Sequence, residues 1–273
     1  MIAEKTKFIH MKNLIFIFIS CGVFAQNSNL ELKYYFKMNS NGSEVVYDCS
    51  LKYNAADQKS LFTLVGFMGN PENKVVETKD INGNVSTNTI IYEDESYQTE
   101  YQKNFKEKSL IEFTDVYRED DYFLISEKLP KLNWEVLKDT LTILKYNTQK
   151  AKVNFRGRNY FAWFTSDIFI SDGPFKFHGL PGLILKVESE DKNYVYEAYE
   201  IAINSKKGDL PFQDLVNRYP NNKKITIKDK WLLTKSNIEK ERKFKMSSGN
   251  GVVAVKIENT GLELNIDDVI NEN

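Results

Sequence analysis

Residues Phe177 to Val187 read FHGLPGLILKV, a proline–glycine turn with a leucine on either side. Turns are ordinarily polar because they face water. A turn flanked by Leu180 and Leu183 belongs where those two side chains are buried. Leu180-Pro181-Gly182-Leu183 fits a type II turn: proline presets φ at the second position, and glycine takes the positive φ at the third without steric cost. The strand that leaves it, LILKVES, puts Leu183, Leu185 and Val187 on one face. The stretch predicts a turn packed towards core beneath Trp163 and Phe161, pinning two strands. His178 is placed to satisfy one of the amides buried with it.

Strand patterns dominate the chain. LELKYYFKM (Leu30–Met38), SEVVYDCSLKY (Ser43–Tyr53) and SLFTLVGF (Ser60–Phe67) alternate or run apolar. Asn82-Gly83 is a hairpin signal. Glu119-Asp120-Asp121 reads as the solvated tip of another hairpin, SLIEFTDVYREDDYFLISEKL. In KAKVNFRGRNYFAWFT, Val153 and Phe155 share a parity before the Arg156-Gly157 turn, and Phe161 and Trp163 share one after it. All four are expected on one buried face. Helices come late: Phe212, Leu215, Val216 and Tyr219 have helical spacing, and Trp231 to Lys245 is a second candidate. The tail from Gly251 reads as strand again. Many strands followed by two or so helices towards the C-terminal half predict an α+β fold, mainly β, with a largely antiparallel sheet.

The N-terminus predicts export. A positive start at Met11-Lys12, the apolar run LIFIFIS and the small residue Ala25 make residues 1–25 a signal peptide, too short for a membrane span. Met11 serves as initiator as well as Met1 does. A lipoprotein reading would anchor the chain at Cys21, but Phe18 is unusual three places before a lipidated cysteine. The expected mature chain starts at Gln26 as a single domain, residues 26–273, periplasmic or secreted and without a transmembrane segment. It keeps one histidine, His178, and one cysteine, Cys49. That count removes internal disulfides, zinc sites built from several His and Cys, and the two-histidine metalloprotease helix. No phosphate loop, nucleophile elbow or EF-hand loop occurs, and a formal net charge of -1 gives no basic excess for nucleic acid. No metal or cofactor is expected. Cys49, amid alternating residues, is expected to be a buried thiol.

The block around the turn carries a resemblance. Asn133-Trp134, Lys150-Ala151, RGRNYFAWFT (Arg156–Thr165) and DGPFKFHGLPGLIL (Asp172–Leu185) occur in order, and Gly179, Leu180, Pro181, Gly182, Leu183 and Ile184 spell its signature. Dense over residues 133–188, this resembles the GLPGLI family of exported Bacteroidota-type proteins, whose biochemical activity is not established. The family is similar in turn to the bowl-like, non-catalytic N-terminal domain of a flavobacterial peptide N-glycosidase. The resemblance therefore implies a curved sheet or partly open barrel and no particular chemistry. Two departures stand out. The family often has Gly-Tyr-x-Cys before the Lys-Ala pair, where this chain has Lys145-Tyr146-Asn147-Thr148, and often has proline where this chain has Phe169.

Five residues of the block are candidates for ligand contact, each with a structural alternative. His178 titrates near neutrality and suits acid–base work, or bonds backbone beside the turn. Arg156 and Arg158 suit bidentate grip on a carboxylate or phosphate, or sit in a solvated turn or pair with Asp172. Trp163 suits stacking on a sugar, or core packing. Asp172, before Gly173-Pro174, suits a turn. The readings in order are a non-enzymatic envelope or secreted binding module with a protein or glycan partner on a concave sheet, a carrier of apolar ligands, and a hydrolase using carboxylates or His178.

Overall fold

The computed structural model describes residues 29–40, 43–67, 74–79, 85–90, 99–115, 122–204 and 213–247. The signal segment, the Asn82-Gly83 turn, the acidic tip at 119–121, Phe212 and the tail from Gly251 lie outside them. The strands are β1 (Asn29–Ser40), β2 (Ser43–Asn54), β3 (Lys59–Phe67), β4 (Lys74–Lys79), β5 (Val85–Ile90), β6 (Thr99–Asn104) and β7 (Ser109–Asp115). They continue with β8 (Tyr122–Lys128), β9 (Glu135–Ile143), β10 (Tyr146–Phe155), β11 (Arg158–Thr165), β12 (Leu183–Ser189) and β13 (Tyr194–Asn204). A one-turn helix α1 (Leu215–Arg218), the short β14 (Lys223–Thr226) and the long α2 (Ile227–Ser247) end the described chain. The fold is mostly β, as the strand-rich sequence predicts. The helical spacing at 212–219 produces only the four residues of α1.

Twelve strands form one sheet in the order β14-β8-β7-β6-β3-β2-β1-β13-β12-β11-β10-β9, and β4 pairs with β5 apart from it. All neighbours are antiparallel except β14 on β8. The sheet is open but strongly curled. β8 lies second from one end and β9 forms the other end, yet only Leu129 to Trp134 separate them in sequence. That link reaches at most about 25 Å when fully extended, so the two ends of the sheet are held near each other. Contact of Arg156, at the end of β10, with Glu127 of β8 confirms the approach.

The space inside the curl is filled from within the chain. The β11–β12 connection, residues 166–182, turns inwards and buries Ile168, Ile170, Asp172, Phe175, Lys176, Phe177 and Leu180. These meet Leu32, Tyr34 and Phe36 of β1, Phe62 of β3, and Val153, Phe155, Tyr160 and Ala162 of the β10–β11 hairpin in one core. An inward loop carries polar backbone into that core and must satisfy it. Here short-range bonds do so: Ile170 N–H to Ile168 O, 2.8 Å; Asp172 N–H to Ile170 O, 2.9 Å; Phe177 N–H to Pro174 O, 3.0 Å; Ile184 N–H to Asp172 O, 2.9 Å. Residues 166–182 thus form a plug.

The β10–β11 hairpin corrects one expectation. Its register pairs Val153 with Tyr160 and Ala151 with Ala162, so these share the core face. Phe161 and Trp163 pair with Lys152 and Lys150 on the opposite face, where Trp163 is nonetheless buried as part of the core and Phe161 packs half-buried against it. A two-residue turn sets this register: Arg156 at φ 49° and Gly157 at φ 85° are both left-handed, as a type I′ hairpin requires. Parity does not carry across an even loop, so Phe155 and Phe161 cannot share a face. Cys49 is buried and free.

Candidate functional site

The apolar turn closes the plug. Leu180 is 1% exposed and Leu183 0%, while Pro181 stands outside. It is not the type II turn expected from the sequence. Gly182 N–H bonds Leu180 O at 2.8 Å across Pro181, and Leu183 N–H bonds Ile168 O at 3.1 Å. The tighter three-residue turn frees Leu183 to fasten the plug's entry to its exit. Gly182 has φ +152°, and a Cβ there would lie 2.0 Å from the carbonyl oxygen of Thr165. Glycine is required by contact with β11 as much as by its dihedral.

His178 is fastened, not poised. Its Nε2 lies 2.9 Å from Pro130 O, and a carbonyl only accepts, so Nε2 carries the proton. Trp134 Nε1–H donates to His178 O at 2.8 Å. The two bonds clasp the β8–β9 link to the plug. Burial pushes the imidazole down to about 4, and the nearby Lys103 charge adds to it. His178 is neutral at physiological pH.

Asp172 bridges to His178 along the backbone, and its side chain meets Lys103 of β6. Both side chains are 0% exposed. Asp172 Oδ1 also accepts Gly173 N–H at 2.8 Å. Lys103 Nζ donates to Gly173 O at 2.7 Å and lies 3.5 Å from Phe177 O. Tyr34 O–H donates to Ile184 O at 2.6 Å beside them, and burial followed by the Asp172 charge drives its phenol well up.

The arginines part company. Arg156 turns inwards onto Glu127. Glu127 holds Lys176 at 2.6 Å, Lys176 lies 3.4 Å from Glu112, and Glu112 meets Lys230 of α2 at 2.6 Å. This chain of alternating charge runs from the hairpin through the plug to β8, β7 and α2. Arg158 pairs instead with Asp191 and lies over the Tyr194 ring at 4.8 Å. Burial raises the Asp191 carboxyl, but bonds from Ser189 O–H and Asn193 N–H and the Arg158 charge leave it below its usual range. Neither arginine meets Asp172, correcting the pairing weighed from sequence: Lys103 already occupies that carboxylate.

Trp163 is 8% exposed on the outer face, with Lys150 Nζ 5.2 Å and Lys186 Nζ 5.4 Å from its ring. The register continues this row as Lys150, Trp163, Lys186, Glu197, Tyr35 and Asp48 across six strands. Lysines roof the indole, which offers no open ring for a sugar.

Of the five candidates, His178 and Asp172 come together, Arg156 joins a separate ionic chain, and Arg158 and Trp163 stand apart. Sequence reasoning missed Lys103, Glu112, Glu127 and Lys176. Lys176, set between Phe175 and Phe177, carried the one usable signal, a lysine inside an aromatic run. Lys103 carried none, because both faces of β6 are covered: Gln102 Oε1 accepts Leu215 N–H at 2.8 Å and Glu100 holds Arg218 at 2.6 Å, gripping α1. Among the described residues no three or more His, Cys, Asp or Glu side chains gather as metal ligands. No described helix is long and apolar enough to cross a membrane.

A family model described as "Protein of unknown function (Porph_ging)" matches residues 156–186, which span β11, the plug and the start of β12. No curated protein matches the chain in sequence. Two crystal forms of PNGF-II are similar in structure. The C2 form has 16% identity and a TM-score of 0.45, with 79% of this chain and 33% of that chain covered. The P21 form has 17% identity and a TM-score of 0.45, with 79% and 34% covered. The chain spans about a third of the length of PNGF-II.

Proposed function

We propose that this chain is an exported, non-enzymatic module of the cell envelope or its surroundings that binds a protein or glycan partner. One observation carries the reading: the candidate reactive groups are committed to one another. Proton transfer needs a side chain within reach of substrate and titrating near the working pH. His178 is neutral and bonded to Pro130 O, Asp172 faces Lys103, and Arg156 faces Glu127. The plug occupies the concave side first expected to hold the partner, so partner contact falls to the outer face. There the stacked Tyr35 and Tyr199, 4.1 Å apart, and the lysine-roofed row offer half-buried aromatic and charged groups. Export rests on the leader read in residues 1–25, with anchoring at Cys21 as the alternative. An apolar carrier and a hydrolase have no comparable support.

Calorimetric titration of the exported protein and its His178→Gln variant with a panel of envelope glycans and glycopeptides tests the proposal. Saturable binding, equal in both proteins and without turnover, is expected. Turnover of a panel member that is lost in the variant contradicts it. Intact-mass analysis of the same exported material tests the address: a chain beginning at Gln26 is expected, and a diacylated Cys21 overturns that.

A further inference from the structure

Lys103 and Asp172 meet where no solvent reaches, β6 supplying the amine and the plug the carboxylate. Every polar atom of the pair but one has the partner that an amide would need. Asp172 Oδ1 accepts Gly173 N–H at 2.8 Å, and Lys103 Nζ donates to Gly173 O at 2.7 Å. The exception is Asp172 Oδ2, buried with no hydrogen-bond partner among the described residues. A buried carboxylate oxygen left without a donor is costly, and an ion pair in a dry interior recovers its desolvation only when all its lone pairs and protons are satisfied.

We propose that Lys103 and Asp172 condense to an intramolecular isopeptide bond that ties the plug covalently to β6. A proton passes from Nζ to Oδ1, the oxygen it touches, turning the ion pair into amine and carboxylic acid. Nζ then bonds to Cγ, the Cγ–Oδ2 bond breaks, a second Nζ proton and the one held by Oδ1 leave with that oxygen, and one water is released. The amide N–H keeps Gly173 O, and its carbonyl oxygen, the former Oδ1, keeps Gly173 N–H. The atom expelled is the one with no partner, and two buried charges become one neutral group. Burial holds Lys103 below the usual lysine range, towards the free amine that attacks. The condensation needs no oxidant and no second molecule. It supplies a cross-link to a chain whose described cysteine, Cys49, is free.

Intact-mass measurement of the natively purified, then denatured, protein decides the matter together with a tryptic map. A mass one water below that of the sequence is expected, with no cleavage after Lys103 and its peptide joined to the one containing Asp172. Lys103→Arg keeps the charge but cannot form the amide, and is expected at full mass. The wild-type map stands alone if that variant fails to fold. Full mass with Lys103 and Asp172 in separate peptides overturns the proposal, as does a missing water mapped to any other residues.

Discussion

Gly182 shows how much one residue constrains the turn. Alanine there meets a left-handed penalty of about 1–2 kcal/mol, and its methyl would also sit 2.0 Å from Thr165 O. A backbone oxygen cannot swing aside as a side chain does, so β11 or the plug must shift. Gly182→Ala is expected to lose more than about 2 kcal/mol in denaturant unfolding, whereas replacing exposed Pro181 by alanine should cost under about 1 kcal/mol. His178 sets a pH dependence. Its native value of about 4 lies below the ordinary histidine value of about 6.5. Between those values the unfolded chain binds more protons, so this contribution is complete above about pH 6.5 and is lost as pH falls towards 4. The loss amounts to roughly 2–3 kcal/mol. Urea midpoints measured from pH 7 to pH 4 should fall less steeply in His178→Gln, which keeps an N–H donor and does not titrate. Parallel slopes in the two proteins would refute this assignment.

At the scale of elements, the long alternating runs were legible. β1, β2, β3, β12 and the β10–β11 hairpin lie where the patterns put them, because their apolar residues alternate or run together as buried strands do. β6 was not legible, since α1 covers one of its faces and the plug the other, and polar residues lie on both. α2 begins at Ile227, about one turn before the expected Trp231, because Thr226 and Asp229 form a capping box: Asp229 N–H to Thr226 Oγ1 is 3.2 Å and Thr226 N–H to Asp229 Oδ2 is 2.9 Å. In the candidate site, the burial of the leucines was readable, but the ionic partners were not. Glu112, Glu127, Arg156 and Lys176 come from four separate segments, and no local spacing links them. Their chain of contacts makes a prediction at this scale. Arg156→Met leaves Glu127 with one of its cationic partners gone in a site where both side chains are 1% exposed. It should destabilise by about 3–5 kcal/mol, and Arg156→Met with Glu127→Leu together by less, since loss of both charges removes the desolvation burden. A double variant less stable than Arg156→Met alone would contradict it.

Across the whole molecule, the curl and the plug explain each other. A sheet of this length bends its ends together, and the interior so formed is taken up by the connection between β11 and β12. β9 is left as an edge with Val136 and Leu141 exposed, as is Leu144 in the turn that follows. Its register against β10 slips between Val136 and Thr140, and Gln149 Nε2–H bonds Leu137 O at 2.8 Å within the irregular stretch. Such an irregularity blunts an edge against further strands. The central claim is that residues 166–182 are interior structure, pinned by the apolar turn, and not a surface loop around a site. Native-state hydrogen exchange of the amides of Ile170, Phe177, Leu183 and Ile184 tests it most directly, because exchange reports the free energy of the opening that exposes each one. Protection equal to that of Leu32 and Tyr196, lost only in global unfolding, is the result this account predicts. Exchange of the plug amides orders of magnitude faster than those strand amides would contradict it.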